Sequence, residues 1–586
     1  MYDECVMGKV AGLEGALEMG ERPWLKNYDP LLPHTLKPYP DRTLLDILSE
    51  TVRQRPDHTT LIFKGLHISA ARLEGLTNDF ATALLELGVA RGERVAALLP
   101  NSPQAVIAQI GAWKAGAIFC PINSTYTEWE LEHALNECEA ETVVVLNPFY
   151  EKVKAIQSRT GARRVIAAHI KDFLPPLLEL LFTLVKEKKE GYRINLRDGD
   201  HAFADLLHRY AGSKFPPVHV KPSDPAILLF SGGTTGKPKA VLASHRSLLI
   251  SSMQLHAYAR TVLSDWDDRL TLVMPLFHAY GNMALNTSLL GRWPMVIVPN
   301  PRDLDDLIAT LRKERPAVLH GVPTLFNALI NHPDVISGKV DFKSIKVCYS
   351  AAAPLLKETK ERFEKLTNGR LLDAYAMTET ILAAIVCPAH GENKEGSTGL
   401  PLPDVELRIV DMETGLEDMP PDALGEIVIR APQIMDGYWK RPEETAQMIR
   451  DGWVFTGDIG YLDQDGYLFL IDRKKDLIKP SGFQVWPREV EEVIAMHPAV
   501  QEVCVGGVPD EQQSEAVKAW IVLKPGEQLE VETLRSFCRE KLSGYKIPSR
   551  VEFRTSLPKT MVGKHLRRVL VSESASHSAG SETESR

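Results

Sequence analysis

Short apolar runs alternate with amphipathic helical stretches over about residues 45–240. Residues 95–99 and 142–146 are continuous apolar runs, and between them Leu131 and Leu135 recur at helical spacing. Apolar strands separated by amphipathic helices are typical of parallel sheets that are covered on both faces. The pattern therefore predicts an α/β fold for this part of the chain.

The pattern changes to shorter strands and turns between residues 381 and 472, as in 406–410 and 425–429. This predicts a small antiparallel barrel or sheet. A compact α+β unit follows, with an expected helix at 487–496 and expected strands at 500–505 and 519–523. We expect an N-terminal domain of residues 1–472, a C-terminal domain of residues 473–571, and a Ser/Glu-rich disordered tail of residues 572–586.

One apolar segment, residues 173–185, runs into the charged sequence Lys186-Glu187-Lys188-Lys189. It is shorter than the ~20 residues that a spanning helix needs, and Pro and Glu interrupt it. We expect a buried amphipathic helix here. A peripheral contact with a membrane surface is the alternative.

Composition narrows the classes of function. The 586 residues include 68 Lys+Arg and 77 Asp+Glu, a net charge of −9, with 44% hydrophobic and 25% charged residues. This is a globular composition, and its mild acidity argues against nucleic acid as the main partner. Seven scattered cysteines without C-x-x-C argue against a disulfide framework or a zinc site. With no secretory signal apparent, we expect a cytoplasmic protein, with peripheral membrane association left open.

The most informative motif is Phe230-Ser-Gly-Gly-Thr-Thr-Gly-Lys-Pro-Lys239. An apolar strand leads into glycines, hydroxyls and lysines, which suits a loop that holds phosphates through N–H groups, hydroxyls and ammonium charge. It is not a Walker A loop, because Ser231 stands where Gly is required and Pro238 follows Lys237. Taken alone, the stretch would fit a polar surface turn equally well.

Further motifs follow this loop in a fixed order. They are Tyr375-Ala-Met-Thr-Glu379, Gly452-Trp-Val-Phe-Thr-Gly-Asp458, Asp472-Arg-Lys-Lys-Asp476, Ser481-Gly-Phe-Gln-Val485 and Pro558-Lys-Thr-Met-Val-Gly-Lys564. The ordered set resembles the AMP-forming adenylating superfamily of acyl-CoA synthetases, luciferases and peptide-synthetase adenylation domains. The resemblance covers residues 40–570 approximately. It implies a large N-terminal domain of parallel-sheet α/β subdomains with a small β-barrel-like subdomain, and a small mobile C-terminal α+β domain.

The resemblance also implies ATP and CoA as co-substrates, Mg²⁺ as cofactor, and a set of site residues. Lys564, Glu379 and Thr234 would be catalytic, with Glu379 as the metal ligand. Lys475 would be the hinge, and His278, Gly482 and Phe483 would line the acyl and pantetheine tunnel. The nucleotide-binding positions would be Ser231, Gly232, Gly233, Thr235, Gly236, Lys237, Ala352, Ala353, Pro354, Asp373, Ala374, Tyr375, Ala376, Met377, Thr378, Asp458, Arg473, Lys479 and Gln484.

The implied roles agree with the chemistry of adenylation. Tyr375 would stack on adenine, and Asp458 and Arg473 would contact the ribose. Attack of a carboxylate on an α-phosphate brings two anions together, so a cation that reaches both groups, with Mg²⁺ on the pyrophosphate, stabilises the developing charge. Lys564 matches that cation, while a hard carboxylate oxygen at Glu379 suits Mg²⁺.

The acid to be activated is suggested by regional similarity. The phosphate loop and residues 300–303, 321–329 and 472–476 are similar to bacterial long-chain fatty acid–CoA ligases, which favours a medium- to long-chain fatty acid. A 4-coumarate-like aryl acid and a catalytically quiet acyl-nucleotide-binding protein are the alternatives. Ala376 replaces the more common Gly where the floor of the acyl pocket is expected, so it bears on chain shape. The sequence indicates no oligomeric state.

Overall fold

A computed structural model describes residues 22–213, 218–231, 238–351, 355, 357–382, 384–510, 513–560 and 565–581. The strands of these residues, in chain order, are β1 Thr59–Phe63, β2 Leu66–Ser69, β3 Arg94–Leu98, β4 Ile118–Pro121, β5 Thr142–Leu146, β6 Arg164–Ala168, β7 His201–Ala202, β8 Pro225–Ser231, β9 Lys239–Ser244, β10 Leu270–Leu272, β11 Met295–Ile297, β12 Val318–Gly321, β13 Val347–Ser350, β14 Arg370–Tyr375, β15 Ile385–Val386, β16 Leu400–Pro401, β17 Glu406–Val410, β18 Gly425–Arg430, β19 Gly437–Tyr438, β20 Ile449–Arg450, β21 Trp453–Leu462, β22 Leu468–Arg473, β23 Val500–Asp510, β24 Ser514–Leu523 and β25 Arg550–Phe553.

The α-helices are numbered in the same way. They are α1 Leu44–Gln54, α2 Ala70–Glu86, α3 Pro103–Lys114, α4 Glu128–Cys138, α5 Tyr150–Ile156, α6 Pro176–Val185, α7 Phe203–Arg209, α8 His245–Ala259, α9 Ala279–Gly291, α10 Leu304–Glu314, α11 Pro323–Ile330, α12 Pro333–Ile336, α13 Lys357–Glu364, α14 Pro442–Met448, α15 Pro487–Ala495, α16 Val531–Arg539 and α17 Arg567–Ser581.

Two large sheets form the N-terminal part. One has the order β19-β9-β8-β4-β3-β5-β6-β7, and the other has the order β16-β15-β14-β13-β12-β10-β11-β1-β2. The central strands pair in parallel, while β9, β15, β16 and β19 pair antiparallel at one end and β2 pairs antiparallel with β1 at the other end of the second sheet. Every residue of α3 is buried; most are apolar or small, and the side chains of Gln104, Gln109 and Lys114 each have a polar partner. The predicted parallel-sheet α/β architecture is confirmed.

A third, antiparallel sheet follows, in the order β17-β18-β21-β20 with β22 paired to β21. The C-terminal part then packs α15 against the sheet β23-β24-β25. The helix expected at 487–496 is therefore present as α15, and the two expected strands are longer than their apolar runs. The predicted small C-terminal α+β unit is confirmed.

The end of the chain differs from the expectation of a disordered tail from residue 572. Helix α17 continues to Ser581. Two contacts hold its first turns: Lys518 Nζ of β24 lies 2.8 Å from Ser574 Oγ, and Arg554, just after β25, pairs with Glu573 at 2.7 Å. Because both partners lie at distant positions in the chain, the local Ser/Glu-rich composition did not reveal them.

The expectation of burial at residues 173–185 is also wrong for most of the segment. Phe173 is buried, but α6 contains no buried residue, and Leu177 and Leu184 are 70% and 73% exposed. The local pattern predicted the helix correctly, but it could not show whether another element covers that helix. Within the described ranges, no helix is long and apolar enough to cross a membrane.

Candidate functional site

Three predicted nucleotide-binding residues meet where β14, β21 and β22 come together. The Tyr375 hydroxyl donates a 2.7 Å hydrogen bond to Asp458 Oδ2, and Arg473 Nε lies 3.1 Å from Asp458 Oδ1. Asp458 and Arg473 are register partners in β21 and β22. Burial, together with the Asp458 charge, raises the pKa of Tyr375 well above its ordinary value, so the phenol is protonated. We call Tyr375, Asp458 and Arg473 the carboxylate cluster.

A bulge in β21 directs Asp458 into this cluster. Glu426 of β18 pairs with Ile459 of β21, but Val428 pairs with Phe455. One residue of β18 therefore lies opposite three residues of β21, and this mismatch forms the bulge. Gly457 lies in the bulge with φ +68°, a left-handed conformation that glycine adopts without steric cost. The Thr456 hydroxyl, which accepts from the Asp458 N–H at 3.1 Å, stabilises the turn.

Replacing Gly457 by alanine is expected to weaken nucleotide binding more than folding. Apart from the two neighbouring residues in the chain, no atom of the described residues lies within 4 Å of the added Cβ, so the left-handed backbone is what opposes the change, by about 1–2 kcal/mol. Relaxation of that strain would turn Asp458 away and raise KM for ATP. The matched control is Gly452→Ala at φ +79° in the neighbouring hairpin turn. In denaturant unfolding, the Gly452→Ala variant should lose about as much stability as Gly457→Ala, but its KM for ATP should stay at the wild-type value. If the two variants have the same KM for ATP, the bulge does not have this role.

A second cluster surrounds Glu379, whose side chain is buried. The Tyr438 hydroxyl donates to Glu379 Oε1 at 2.8 Å, and Lys239 Nζ lies 4.9 Å from the centre of the Tyr438 ring. Burial and the Glu379 charge raise the pKa of Tyr438, so this hydroxyl stays a donor. A buried carboxylate held by a neutral donor fits the hard oxygen ligand that Mg²⁺ prefers. Lys239 ends the predicted phosphate-loop motif, although it was given no role of its own, and Tyr438 belongs to no predicted motif.

Glu379 is held near the phosphate loop by the surrounding backbone. Ser231 and Lys239 are paired at the ends of β8 and β9, so the loop between them starts and finishes at one place. The turn containing Glu379 packs against β8, and the Glu379 carbonyl accepts from the Met435 N–H at 2.9 Å.

Part of the predicted site lies outside the described residues: Gly232, Gly233, Thr234, Thr235, Gly236, Lys237, Ala352, Ala353, Pro354 and Lys564.

Strand β14 links the carboxylate cluster to an apolar cavity that is partly open to solvent. Side chains alternate between the two faces of a strand. Accordingly, Ala374 and Ala376 line the cavity, while Tyr375 between them reaches Asp458. The cavity is lined by Leu255, Tyr258, Ala259, Leu263, Leu270, Tyr280, Ala284, Thr287, Trp293, Val318, His320, Tyr349, Ala351, Ala374, Ala376, Leu382, Ala384, Ile385 and Val386.

His320 is a cavity residue that no sequence motif indicated. Its Nδ1 lies 3.0 Å from the Thr271 carbonyl oxygen, and its ring stacks on Tyr349 at 5.6 Å. Burial lowers the pKa of His320 to about 4, so the ring is neutral at pH 7. His278, the histidine that was singled out, caps α9 by accepting the Tyr280 N–H at 3.2 Å, and it is not among the residues that line this cavity.

Asp373, Met377 and Thr378 flank the carboxylate cluster. Asp373 Oδ1 accepts the N–H of Ala374 at 3.0 Å, and burial raises the pKa of the Asp373 carboxyl to about 7. Met377 and Thr378 open the short 3₁₀ turn that carries Glu379. An aspartate in the unfolded chain has a pKa of about 3.9, so the folded protein binds this proton more tightly.

Replacing Asp373 by asparagine is expected to remove a pH dependence of stability. Between about pH 4 and pH 7 the folded state retains the Asp373 proton that the unfolded state has lost, so stability falls as pH rises through this window and levels off above it. The asparagine variant lacks this dependence. The difference in Tm, variant minus wild type, should therefore grow from pH 5 to pH 8 in thermal unfolding, and a constant difference would contradict the assignment.

The predicted C-terminal site residues have their described contacts within the C-terminal part. The Lys479 N–H donates to Glu515 Oε2 at 2.7 Å, and Phe483 stacks on Tyr545 at 4.7 Å while remaining 54% exposed. Gly482 has φ +85°, and Gln484 is exposed beside it. The described contacts do not bring these residues to the carboxylate cluster.

Lys475, the predicted hinge, lies in the short 3₁₀ turn Lys474–Asp476 that follows β22. Burial and neighbouring Arg473 lower its pKa. Ion pairs surround this junction: Lys474 reaches Glu426 of β18 at 2.8 Å, and Arg567 of α17 reaches Asp476 at 2.6 Å. The turn therefore connects the two parts of the chain and has partners on both sides.

Together, a buried carboxylate cluster, a buried glutamate next to the strand β8 that leads into the Ser/Thr/Gly motif, and an apolar cavity on the opposite face of β14 define a nucleotide-binding enzyme with an adjoining apolar-substrate site. Comparison with known families agrees: residues 48–439 match the AMP-binding enzyme family, and residues 489–564 match the AMP-binding enzyme C-terminal domain. The chain belongs to this family. The predicted membership of the adenylating superfamily is confirmed.

Relatives over nearly the full length extend the comparison. A long-chain-fatty-acid–CoA ligase of Bacillus subtilis is 37% identical over 94% of this chain and 98% of that protein. A long-chain-fatty-acid–CoA ligase of Escherichia coli O6:H1 is 35% identical over the same shares. Among solved structures, the anthranilate CoA ligase AuaEII in complex with anthranoyl-AMP has a TM-score of 0.81 and 26% identity, covering 92% of this chain and 99% of that one.

Proposed function

We propose that the protein activates a medium- to long-chain fatty acid with ATP, forming acyl-AMP and pyrophosphate, and then transfers the acyl group to CoA with release of AMP. The observation that carries this proposal is the apolar cavity on one face of β14, whose other face contributes Tyr375 to the carboxylate cluster. An acid in the cavity would present its carboxylate beside a nucleotide on that cluster. The similarity to two long-chain-fatty-acid–CoA ligases supports the choice of acid.

In the first half-reaction, a carboxylate oxygen of the acid attacks the α-phosphorus and pyrophosphate leaves. Asp458 would accept hydrogen bonds from the ribose hydroxyls while Arg473 balances its charge. Glu379 would hold Mg²⁺, which neutralises charge on the leaving pyrophosphate. Lys564, by resemblance, would approach the acid and the α-phosphate, and residues 231–237 would hold the outer phosphates.

In the second half-reaction, the CoA sulfur attacks the acyl carbon and AMP leaves. We propose that residues 473–571 rotate about Lys475 between the two steps, which would exchange Lys564 for the loop around Gly482 and Phe483 next to the adenylate. The short connection and the few ion pairs at the junction support a hinge there, because a few residues at an element's end can absorb such a change.

The proposal is tested by acid-dependent pyrophosphate release across a panel of saturated fatty acids and aryl acids. We expect the highest kcat/KM for medium or long chains, and we expect Lys564→Ala to abolish release. If kcat/KM is highest for aryl acids, the substrate is an aryl acid and not a fatty acid. Absence of acid-dependent release with every acid would instead favour a catalytically quiet acyl-nucleotide-binding protein.

A ring-bearing acid is the second candidate substrate, and two observations favour it. Five of the nineteen residues that line the cavity have ring side chains, and the buried hydroxyls of Thr287 and Tyr349 in that lining have no hydrogen-bond partner within the described part of the chain. An unpaired buried hydroxyl is costly, so a polar group on the substrate would be favoured there. The solved anthranilate ligase is similar to this chain.

Thr287→Val separates the two candidates, since it removes the hydroxyl at nearly constant volume. With an alkyl acid as substrate, the variant should keep or slightly improve kcat/KM. With an oxygen- or nitrogen-bearing ring acid that pairs with Thr287, kcat/KM should fall about tenfold, as expected for one lost hydrogen bond. The kcat/KM of both acids is measured with the same enzyme preparation, so each serves as control for the other.

A further inference from the structure

Helix α6 presents an uncovered apolar face outside the proposed catalytic site. Leu177, Leu180, Leu181 and Leu184 follow the i, i+3, i+4, i+7 spacing of one helix face. Exposures along the helix are 70% for Leu177, 39% for Leu178, 56% for Leu180, 48% for Leu181, 73% for Leu184 and 65% for Val185. Other strongly exposed apolar residues, such as Leu31, Ile336 and Leu416, are far apart along the chain. A contiguous apolar patch of this kind marks an interaction surface.

Contacts of Phe182 and of the chain just after α6 hold this face in a defined position. Phe182, on the inner side, packs against Tyr192 at 5.0 Å and against His169 at 5.9 Å. Just after the helix, buried Glu187 binds Lys171 and pairs with Arg193 at 3.0 Å. These contacts use the inner side of α6 and the chain after it, so the leucine face is directed away from the body.

Charge next to the helix indicates what this surface binds. Lys186, Lys188 and Lys189 are exposed immediately after α6, with Glu190 3.7 Å from Lys186. The only charged residue in α6, Glu179, lies on the side opposite the leucine face. Apolar residues that can enter the acyl region, followed by lysines at headgroup level, form the pattern of a helix that lies in the surface of an anionic membrane.

The size of the face argues against a second copy of the chain as its occupant. Ten helical residues extend only about 15 Å and are about 10 Å across, whereas a stable protein interface buries about 800 Å² per partner. The same length is too short to span a bilayer but sufficient for insertion to the depth of the headgroup and acyl boundary.

We propose that α6 and the three lysines after it dock the protein on the surface of an anionic lipid bilayer. Docking follows from this surface alone, while its purpose rests on the proposed function: long-chain acids partition into bilayers, so docking would place the enzyme where its substrate is concentrated. The helix lies between β6 and β7 at the edge of the first sheet, whereas the apolar cavity is lined largely from the second sheet. Docking through α6 therefore uses none of the residues that line the cavity.

The test is flotation of the full chain with vesicles of phosphatidylcholine, with or without phosphatidylglycerol. We expect the wild type to float with phosphatidylglycerol vesicles, and Leu177→Ser/Leu180→Ser/Leu184→Ser to lose at least tenfold in partitioning. The matched control Leu31→Ser/Ile336→Ser/Leu416→Ser removes the same number of exposed apolar residues elsewhere and should float like the wild type. Lys186→Ser/Lys188→Ser/Lys189→Ser should remove the preference for anionic lipid.

Failure of the wild type to float, or equal loss in the control triple variant, would overturn the proposal. If the wild type is a dimer in gel filtration and the triple leucine variant is a monomer, the leucine face is instead an interface with a second copy of the chain. Each variant is also assayed for pyrophosphate release with a short, water-soluble acid. If a variant no longer docks but releases pyrophosphate from this acid at the wild-type rate, docking has failed while the proposed catalytic function is intact.

Discussion

Replacing Asp458 by asparagine is expected to lower kcat/KM for ATP by about two to four orders of magnitude. The carboxylate is buried, and it would accept both ribose hydroxyls while it also pairs with Arg473. Hydrogen bonds to a charged group contribute about 1.5–3 kcal/mol each, and 1.4 kcal/mol corresponds to a factor of ten. The measurement is pyrophosphate release as a function of ATP concentration at saturating acid.

The control for this prediction is Tyr375→Phe. It removes the 2.7 Å hydrogen bond to Asp458 but leaves the carboxylate, Arg473 and an aromatic ring in place. We expect it to lower kcat/KM for ATP by no more than about tenfold. In the Asp458→Asn variant, Arg473 lies beside a neutral amide and loses its ion pair. Thermal unfolding of both variants checks that the protein remains folded. A folded Asp458→Asn variant with wild-type KM for ATP would contradict the ribose role.

Replacing Glu379 by glutamine is expected to lower kcat by about two to three orders of magnitude and to raise the Mg²⁺ concentration required for half-maximal rate. The amide oxygen can still accept the Tyr438 hydroxyl, so the local fold is retained while the charge that would hold Mg²⁺ is lost. Loss of a transition-state charge contact of this kind costs about 2.7–4 kcal/mol. Titration of pyrophosphate release with Mg²⁺ measures both effects.

Tyr438→Phe is the matched control, because it removes the hydrogen bond and keeps the Glu379 charge. It should shift the Mg²⁺ requirement by less than about tenfold, since only one neutral donor is lost. If Glu379→Gln and the wild type show the same dependence on Mg²⁺, the metal must be held elsewhere.

Much of the fold could be predicted because its signals are local. Apolar runs such as 142–146 became strands without change of bounds, and Pro487 marked the start of α15. Burial was less predictable. The apolar pattern of α6 is the same whether or not another element covers it, and α17 extends because partners from β24 and the segment after β25 hold its start.

The candidate site shows the same division. Tyr375, Asp458 and Arg473 were recognised from separate motifs, and the register of β21 with β22 and the end of β14 bring them together. Tyr438 belongs to no motif; it reaches Glu379 because β19 pairs with β9 across the sheet. His320 likewise becomes a cavity residue only through the parallel pairing of β12 with β13. Contacts of this kind depend on topology and have no local signal.

We propose that an acyl-adenylate forms in the space between the carboxylate cluster, Glu379 and the apolar cavity. The most direct measurement is a single-turnover reaction of the enzyme with α-labelled ATP, Mg²⁺ and a long-chain acid, first without CoA and then after its addition. We expect enzyme-bound acyl-AMP with stoichiometric pyrophosphate before CoA is added, and AMP with acyl-CoA afterwards. Formation of ADP and phosphate, or no acid-dependent cleavage of ATP, would contradict it.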